Sequence, residues 1–217
     1  AMLDSYLSAD LATYYDRRDK QYYFQLTLFA GSDIDKLSVM PKEIVFLIDA
    51  SYSISPKRID QFRQGLAYCL QHLNTTDRFN LVAFKEDIRW LSTTSLRVTP
   101  EAVQQALRFI QSLAPGGSTD VYEVFHNVVQ TPVACHPSYI VLLSDGKPTR
   151  GVRNSRELIA YINALNNGER AIFCYSGGWE VNRYLLDFIA YGNRGWAEHA
   201  DKGRQIARGL TSFYDKI

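Results

Sequence analysis

Long hydrophobic runs are missing from this 217-residue chain. None approaches the roughly 20 apolar residues that a membrane-spanning helix requires. An excess of one charge is missing too: 24 Lys and Arg stand against 23 Asp and Glu, a formal net charge of +1. Such a balance provides neither a basic field for nucleic acid nor a polybasic face for a lipid surface. Cysteine is scarce, with Cys69, Cys135 and Cys174 far apart and no C-x-x-C pair. That argues against a disulfide framework and a zinc site; Cys69 and Cys174 fall in apolar segments, where a free thiol acts as a small hydrophobe. The histidines at 72, 126, 136 and 199 lack metal spacing. Absent as well are the phosphate loop G-x-x-x-x-G-K-[ST], the dinucleotide motif G-x-G-x-x-G and the nucleophile elbow G-x-S-x-G. The first residues lack the pattern of a secretory leader; Ala1-Met2 reads as a cloning remnant, and the chain as a piece of a longer one.

What is present is enough for a core, since 46% of the residues are apolar. Residues 1–20 are polar and tyrosine-rich, and their pattern assigns no element. Tyr22, Phe24, Leu26 and Leu28 alternate with Tyr23, Gln25 and Thr27, the period of a half-buried strand. We expect it as an added edge on the main sheet, within an N-terminal extension of residues 1–42. From residue 43 onward, apolar runs at 44–48, 79–84, 139–143 and 171–175 read as buried strands, with a short strand at 196–199. A hairpin partner at 88–91 is expected to be an antiparallel edge. Amphipathic helices separate them, at about 56–73, 100–113, 120–130, 155–165, 181–191 and 204–214, two of them opened by Pro56 and Pro100. Alternation of this kind predicts one α/β domain over 43–217, a doubly wound, mostly parallel sheet with helices on both faces.

The chemistry gathers at strand ends. Ile44–Ile48 runs into Asp49, followed by Ser51 and Ser53; Tyr139–Leu143 runs into Ser144-Asp145-Gly146. Parallel strands bring their carboxyl ends to one edge of the sheet, where ligands bind. The helix at 120–130 feeds the strand at 139–143, so Thr119 before it belongs to the same edge. Asp49, Ser51, Ser53, Thr119 and Asp145 thus form a hard oxygen donor set with two carboxylates, suited to Mg²⁺. Taken singly, each has another reading. Ser51 and Ser53 could cap the next helix, Thr119 could cap its own with Asp120 at the positive helix end, and Asp145-Gly146 could be a turn.

In order, IVFLIDASYSIS, DRFNLVAF, PGGSTD, IVLLSDGKPT and NRYLLDFIAYGNRG make this chain resemble the von Willebrand factor A domains with a metal-ion-dependent adhesion site. The resemblance covers about residues 43–217 and is strongest to the inter-alpha-trypsin inhibitor heavy chain type and its bacterial relatives. It implies a Rossmann-like fold, direct ligation by Ser51, Ser53 and Thr119, and water-mediated or outer ligation by Asp49 and Asp145. One ion, Mg²⁺ or alternatively Mn²⁺, is expected, because the extra acidic residues of the integrin flanking sites are not evident. Tyr52 departs from the glycine that most members carry between the two serines, and sets an aromatic ring at the rim; Lys147, Arg150 and Trp179 complete a candidate partner-contact rim.

The expected function is therefore a non-enzymatic, metal-dependent protein-binding module whose ion accepts an Asp or Glu from a partner protein. The expected setting is extracytoplasmic, as a monomeric domain of a longer chain. Two alternatives are a scaffold domain with a vestigial site and a magnesium-dependent phosphoryl-transfer hydrolase. The second lacks the D-x-D pattern of haloacid dehalogenases, since Ser51 stands where the second Asp belongs.

Overall fold

The computed structural model describes residues 6–33, 40–135, 137–200 and 205–217; His136 and Arg204, both named above, lie outside them. The chain forms two compact units, Ala1–Met40 and Pro41–Ile217.

In the first unit, β1 (Leu7–Asp16) pairs antiparallel with β2 (Gln21–Ala30). They make a two-stranded sheet of their own, which corrects the expectation that the strand at 22–28 extends the main sheet. The reason is local. Residues 1–20, left unassigned by pattern, supply a partner of equal length across a short turn, and Lys20 takes the left-handed conformation that closes it (φ 53°). The register stacks Leu7, Ala9, Leu11 and Tyr15 on the same face as Tyr22, Phe24, Leu26, Leu28 and Ala30, and all of these are exposed.

The second unit is built on β3 (Glu43–Asp49), every residue of which is buried. It lies between β4 (Arg78–Phe84) and β7 (Ser138–Leu143), parallel to both. β8 (Ala171–Gly177) and β9 (Ala197–Ala200) continue the parallel order on one side. On the other, β5 (Ile88–Trp90) and the two-residue β6 (Leu96–Arg97) pair antiparallel with β4. Among the described residues the order is β5-β4-β3-β7-β8-β9. The doubly wound, mostly parallel sheet with an antiparallel edge is as the sequence predicts; β6 adds to it.

Alternate residues of β3 feed two cores. Ile44, Phe46 and Ile48 pack with α1 (Pro56–Gln71), α2 (Pro100–Gln111) and α6 (Ile206–Tyr214). Val45 and Leu47 pack with α3 (Val121–Val129), α4 (Ser155–Asn166) and α5 (Arg183–Gly192). Burying each such aliphatic side chain is worth about 1.5–3 kcal/mol, so β3 is anchored from both faces and its end is held rigid. The chain leaves β3 toward β4 on one side and returns through β7 on the other. This reversal of winding is the switch point at which open α/β sheets form their crevice.

Cys69 and Cys174 are buried and free, and burial pushes both thiols up, as inert core cysteines require. His199 has a structural part that its sequence context does not disclose. Its Nε2–H donates to Asp187 Oδ1 at 2.7 Å and its Nδ1 bonds the Ser176 hydroxyl at 2.6 Å. Ser176 is fully buried, so this chain of bonds fastens β8, β9 and α5 together without presenting a nucleophile. Among the described residues no helix is long and apolar enough to cross a membrane.

Candidate metal centre

Three loops meet at the carboxyl edge of β3 and β7, and backbone hydrogen bonds lace them. The loop after β3 is tied to the loop before α3 by Tyr52 N–H donating to the Gly117 carbonyl (3.1 Å) and Gly116 N–H to that of Ala50 (2.9 Å). The Thr119 carbonyl accepts from the N–H groups of Thr149 and Arg150, both at 3.0 Å, and Thr119 N–H donates to Thr149 Oγ1 at 2.8 Å. That joins the loop before α3 to the one after β7. Gly117 (φ 73°) and Gly146 (φ 69°) sit where the backbone turns left-handed, which a side chain would resist.

The helix caps bear on the alternatives raised by the sequence. Ser55, not Ser51 or Ser53, caps α1, and Asp120, not Thr119, caps α3 by accepting from Glu123 N–H. The three candidate hydroxyls are thereby released from capping. Ser51 and Ser53 have their oxygens 3.0 Å apart. Thr119 is fully buried, and its Oγ1 has no hydrogen-bond partner among the described residues. A buried hydroxyl without a partner costs about 1–3 kcal/mol.

Asp49 is completely buried at the end of β3. Its Oδ1 accepts from Ser51 N–H (3.0 Å) and its Oδ2 from the Ser144 hydroxyl (2.7 Å). Burial pushes the Asp49 carboxyl up to about 6, against the pull of the Ser51 and Ser144 hydrogen bonds; the charge of nearby Asp145 adds to the rise. No cation among the described residues pairs with it. Asp145, also buried, accepts from Lys147 N–H and is 3.4 Å from Arg58 Nη1. Two carboxylates therefore share the edge, one of them, Asp145, paired with a guanidinium.

The four residues expected at a partner-contact rim are placed as follows. Tyr52 is 80% exposed and Trp179 is 87% exposed. Lys147 pairs with Glu180 at 2.8 Å, and Arg150 is exposed. Sequence reasoning missed Ser144, Thr149 and Arg58. The adjacency of Ser144 to Asp145 is the one available signal, since a strand register that brings Leu143 beside Ile48 carries Ser144 to Asp49.

The donor chemistry fits a hard divalent cation. Hydroxyl oxygens and two carboxylates suit Mg²⁺ or Mn²⁺, and a ligand-short Thr119 Oγ1 is an atom such an ion would satisfy. Among the described residues there is no group of three or more His, Cys, Asp or Glu that could hold a metal, so any ion here depends on hydroxyls.

Fold and edge together define an α/β domain whose candidate ligand site lies at the switch point of a doubly wound sheet. The model of the von Willebrand factor type A domain matches residues 42–199, and the chain belongs to that family. It is 29% identical over 190 residues to the human (Homo sapiens) inter-alpha-trypsin inhibitor heavy chain H4, covering 83% of this chain and 20% of that protein. It is 25% identical to heavy chain H2 of Mesocricetus auratus, covering 97% and 24%. The chain thus spans about a fifth to a quarter of the length of these curated relatives. Among solved structures it is similar to a von Willebrand factor type A protein from Catenulispora acidiphila (TM-score 0.76, 16% identity, 98% of this chain and 50% of that one). It is also similar to proximal thread matrix protein 1 of the mussel byssus, in a form with a zinc-occupied MIDAS motif (TM-score 0.65, 16% identity, 81% and 48%).

Proposed function

We propose that residues 43–217 are an ion-dependent protein-binding module, with Ser51, Ser53 and Thr119 as direct ligands of one Mg²⁺ or Mn²⁺ ion. Asp49 and Asp145 act at longer range or through water. The observation that carries this reading is the buried Thr119 Oγ1, which has no partner among the described residues: its own helix is capped by Asp120, so the hydroxyl is left for an ion. With neutral hydroxyls closest, the bound ion keeps much of its charge and acts as a Lewis acid toward a carboxylate. A partner's Asp or Glu completes the shell, and Tyr52, Lys147, Arg150 and Trp179 form the rim it meets. The Ser144 hydroxyl, which donates to the Asp49 carboxylate, is fully buried and out of a substrate's reach, so binding rather than turnover is the proposal. An extracytoplasmic setting and a place within a longer, multidomain chain belong to the same proposal and rest on the family likeness.

Calorimetry tests it. Mn²⁺ titrated into the chelator-treated protein is expected to bind at about one ion per chain, and Thr119→Val to weaken that binding about tenfold or more with the fold intact. Absence of binding by the folded wild type would favour the vestigial-scaffold reading.

A further inference from the structure

Beside the candidate ion site lies a groove whose chemistry a single partner carboxylate would leave unused. The first turn of α1 sends Arg58 across the boundary between the two. Its Nη1 donates to Asp145 Oδ2 (3.4 Å) and to the Ser53 carbonyl (3.3 Å). Among the described residues its Nε and Nη2 have no acceptor. The guanidinium rests on Gly178, where a Cβ would come 2.2 Å from Nη2 and where φ is +114°. Only glycine at 178 lets the arginine lie there.

On the far side the groove has a volume of about 530 Å³ and is lined by Lys57, Arg58, Gln61, Gln64, Gly178 and Trp179, among others. Asp60, also on its wall, is turned to Arg63, and nearby Glu180 is held by Lys147. Among the described residues Lys57 has no ion-pair partner and Arg58 is paired through Nη1 alone, with Asp145, so the positive charge on the groove wall comes from Lys57 and from the remaining edge of Arg58. A guanidinium with its Nε–Nη2 edge unused is a fork for a carboxylate.

We propose that this groove receives an acidic segment carrying two carboxylates, one for the ion and a second, two residues further along, for Arg58. In an extended peptide, residues i and i+2 point the same way about 7 Å apart. Arg58 reaches from Asp145 on one side to Gly178 on the other. Trp179 offers its exposed ring to the peptide between and beyond them. The inference rests on the ion-bridged reading above and names the partner's sequence chemistry: Asp or Glu at alternate positions.

The test uses the full 217-residue chain loaded with Mn²⁺ and two blocked peptides, Gly-Asp-Gly-Asp-Gly and Gly-Asp-Gly-Asn-Gly. The wild type is expected to bind the diacid about tenfold more tightly, as a charge-assisted bidentate pair would give. Arg58→Gln and Arg58→Lys should both erase that preference. Each variant is compared with the wild type at a Mn²⁺ concentration that saturates it, so that a change in ion affinity does not enter the peptide preference. Equal binding of the two peptides by the wild type, or a preference that survives Arg58→Gln, overturns the inference while leaving the ion site standing. If Mn²⁺-loaded wild type binds neither peptide better than the Mn²⁺-free protein does, the ion-bridged reading fails, and this one with it.

Discussion

Asp49→Ala is expected to lower divalent-ion affinity by more than about a hundredfold, beyond the 10–100-fold typical of losing an outer partner. The clearest readout is thermal. An ion at a hundred times its Kd stabilises the native state by about 2.7 kcal/mol, which for a chain of this size raises Tm by about 5–10 °C. The wild type should show that rise on adding Mg²⁺ after chelation, and Asp49→Ala a rise of at most about 1–2 °C. Without the ion the two proteins should differ much less, because two effects oppose each other. Removing Asp49 relieves a carboxylate whose ionisation burial disfavours, but it leaves Ser51 N–H and the Ser144 hydroxyl without their acceptor. A full Tm rise that persists in Asp49→Ala would move the ion to another part of the chain.

The second large effect lies at the opposite edge of the sheet. Glu43 opens β3 and is almost wholly buried. It accepts from the Ser95 hydroxyl, from the Ser138 hydroxyl (2.8 Å) and from Ala134 N–H (3.3 Å). One side chain thereby ties the first residue of the central strand to the segment before β6 and to the start of β7. Glu43→Ala strands three donors at once, and we expect it to cost about 3–5 kcal/mol. The shift in the urea midpoint measures it. Glu43→Gln keeps one acceptor oxygen and should cost about half as much. A loss under about 1 kcal/mol for Glu43→Ala would mean that water replaces the carboxylate freely.

The contrast between those two carboxylates shows what could be read beforehand. Strands buried on both faces announce themselves as unbroken apolar runs, so Ile44–Ile48, Phe79–Phe84 and Tyr139–Leu143 were legible, and with them the parallel sheet. Asp49 and Asp145 were legible because each ends such a run. Glu43 precedes one, in a place where a charged residue ordinarily faces solvent; its burial depends on Ser95 and Ser138, which sequence cannot bring near. Arg58 sits among the polar positions of an amphipathic helix, and only the packing of α1 on the sheet turns it toward Asp145. The N-terminal hairpin was half legible. Alternation at 22–28 marks a strand but carries no information on its partner. The matching alternation at 7–15 is blurred by Asp10, Tyr14 and the small Ala9 and Ala12. At two residues, β6 is too short for any period to appear.

The hairpin of β1 and β2 has a consequence for the behaviour of the molecule in solution. A ribbon that shows water a row of leucines and aromatics along one side is in effect a surfactant strip. Its long strand edges can also recruit further strands. Light scattering on the 217-residue chain should therefore report association that grows with protein concentration and with added sulfate, which strengthens apolar burial. Replacing Phe24 and Leu26 by lysine should suppress it without altering Mn²⁺ binding. Stickiness and ion recognition would then be separable properties, written in different stretches of one chain.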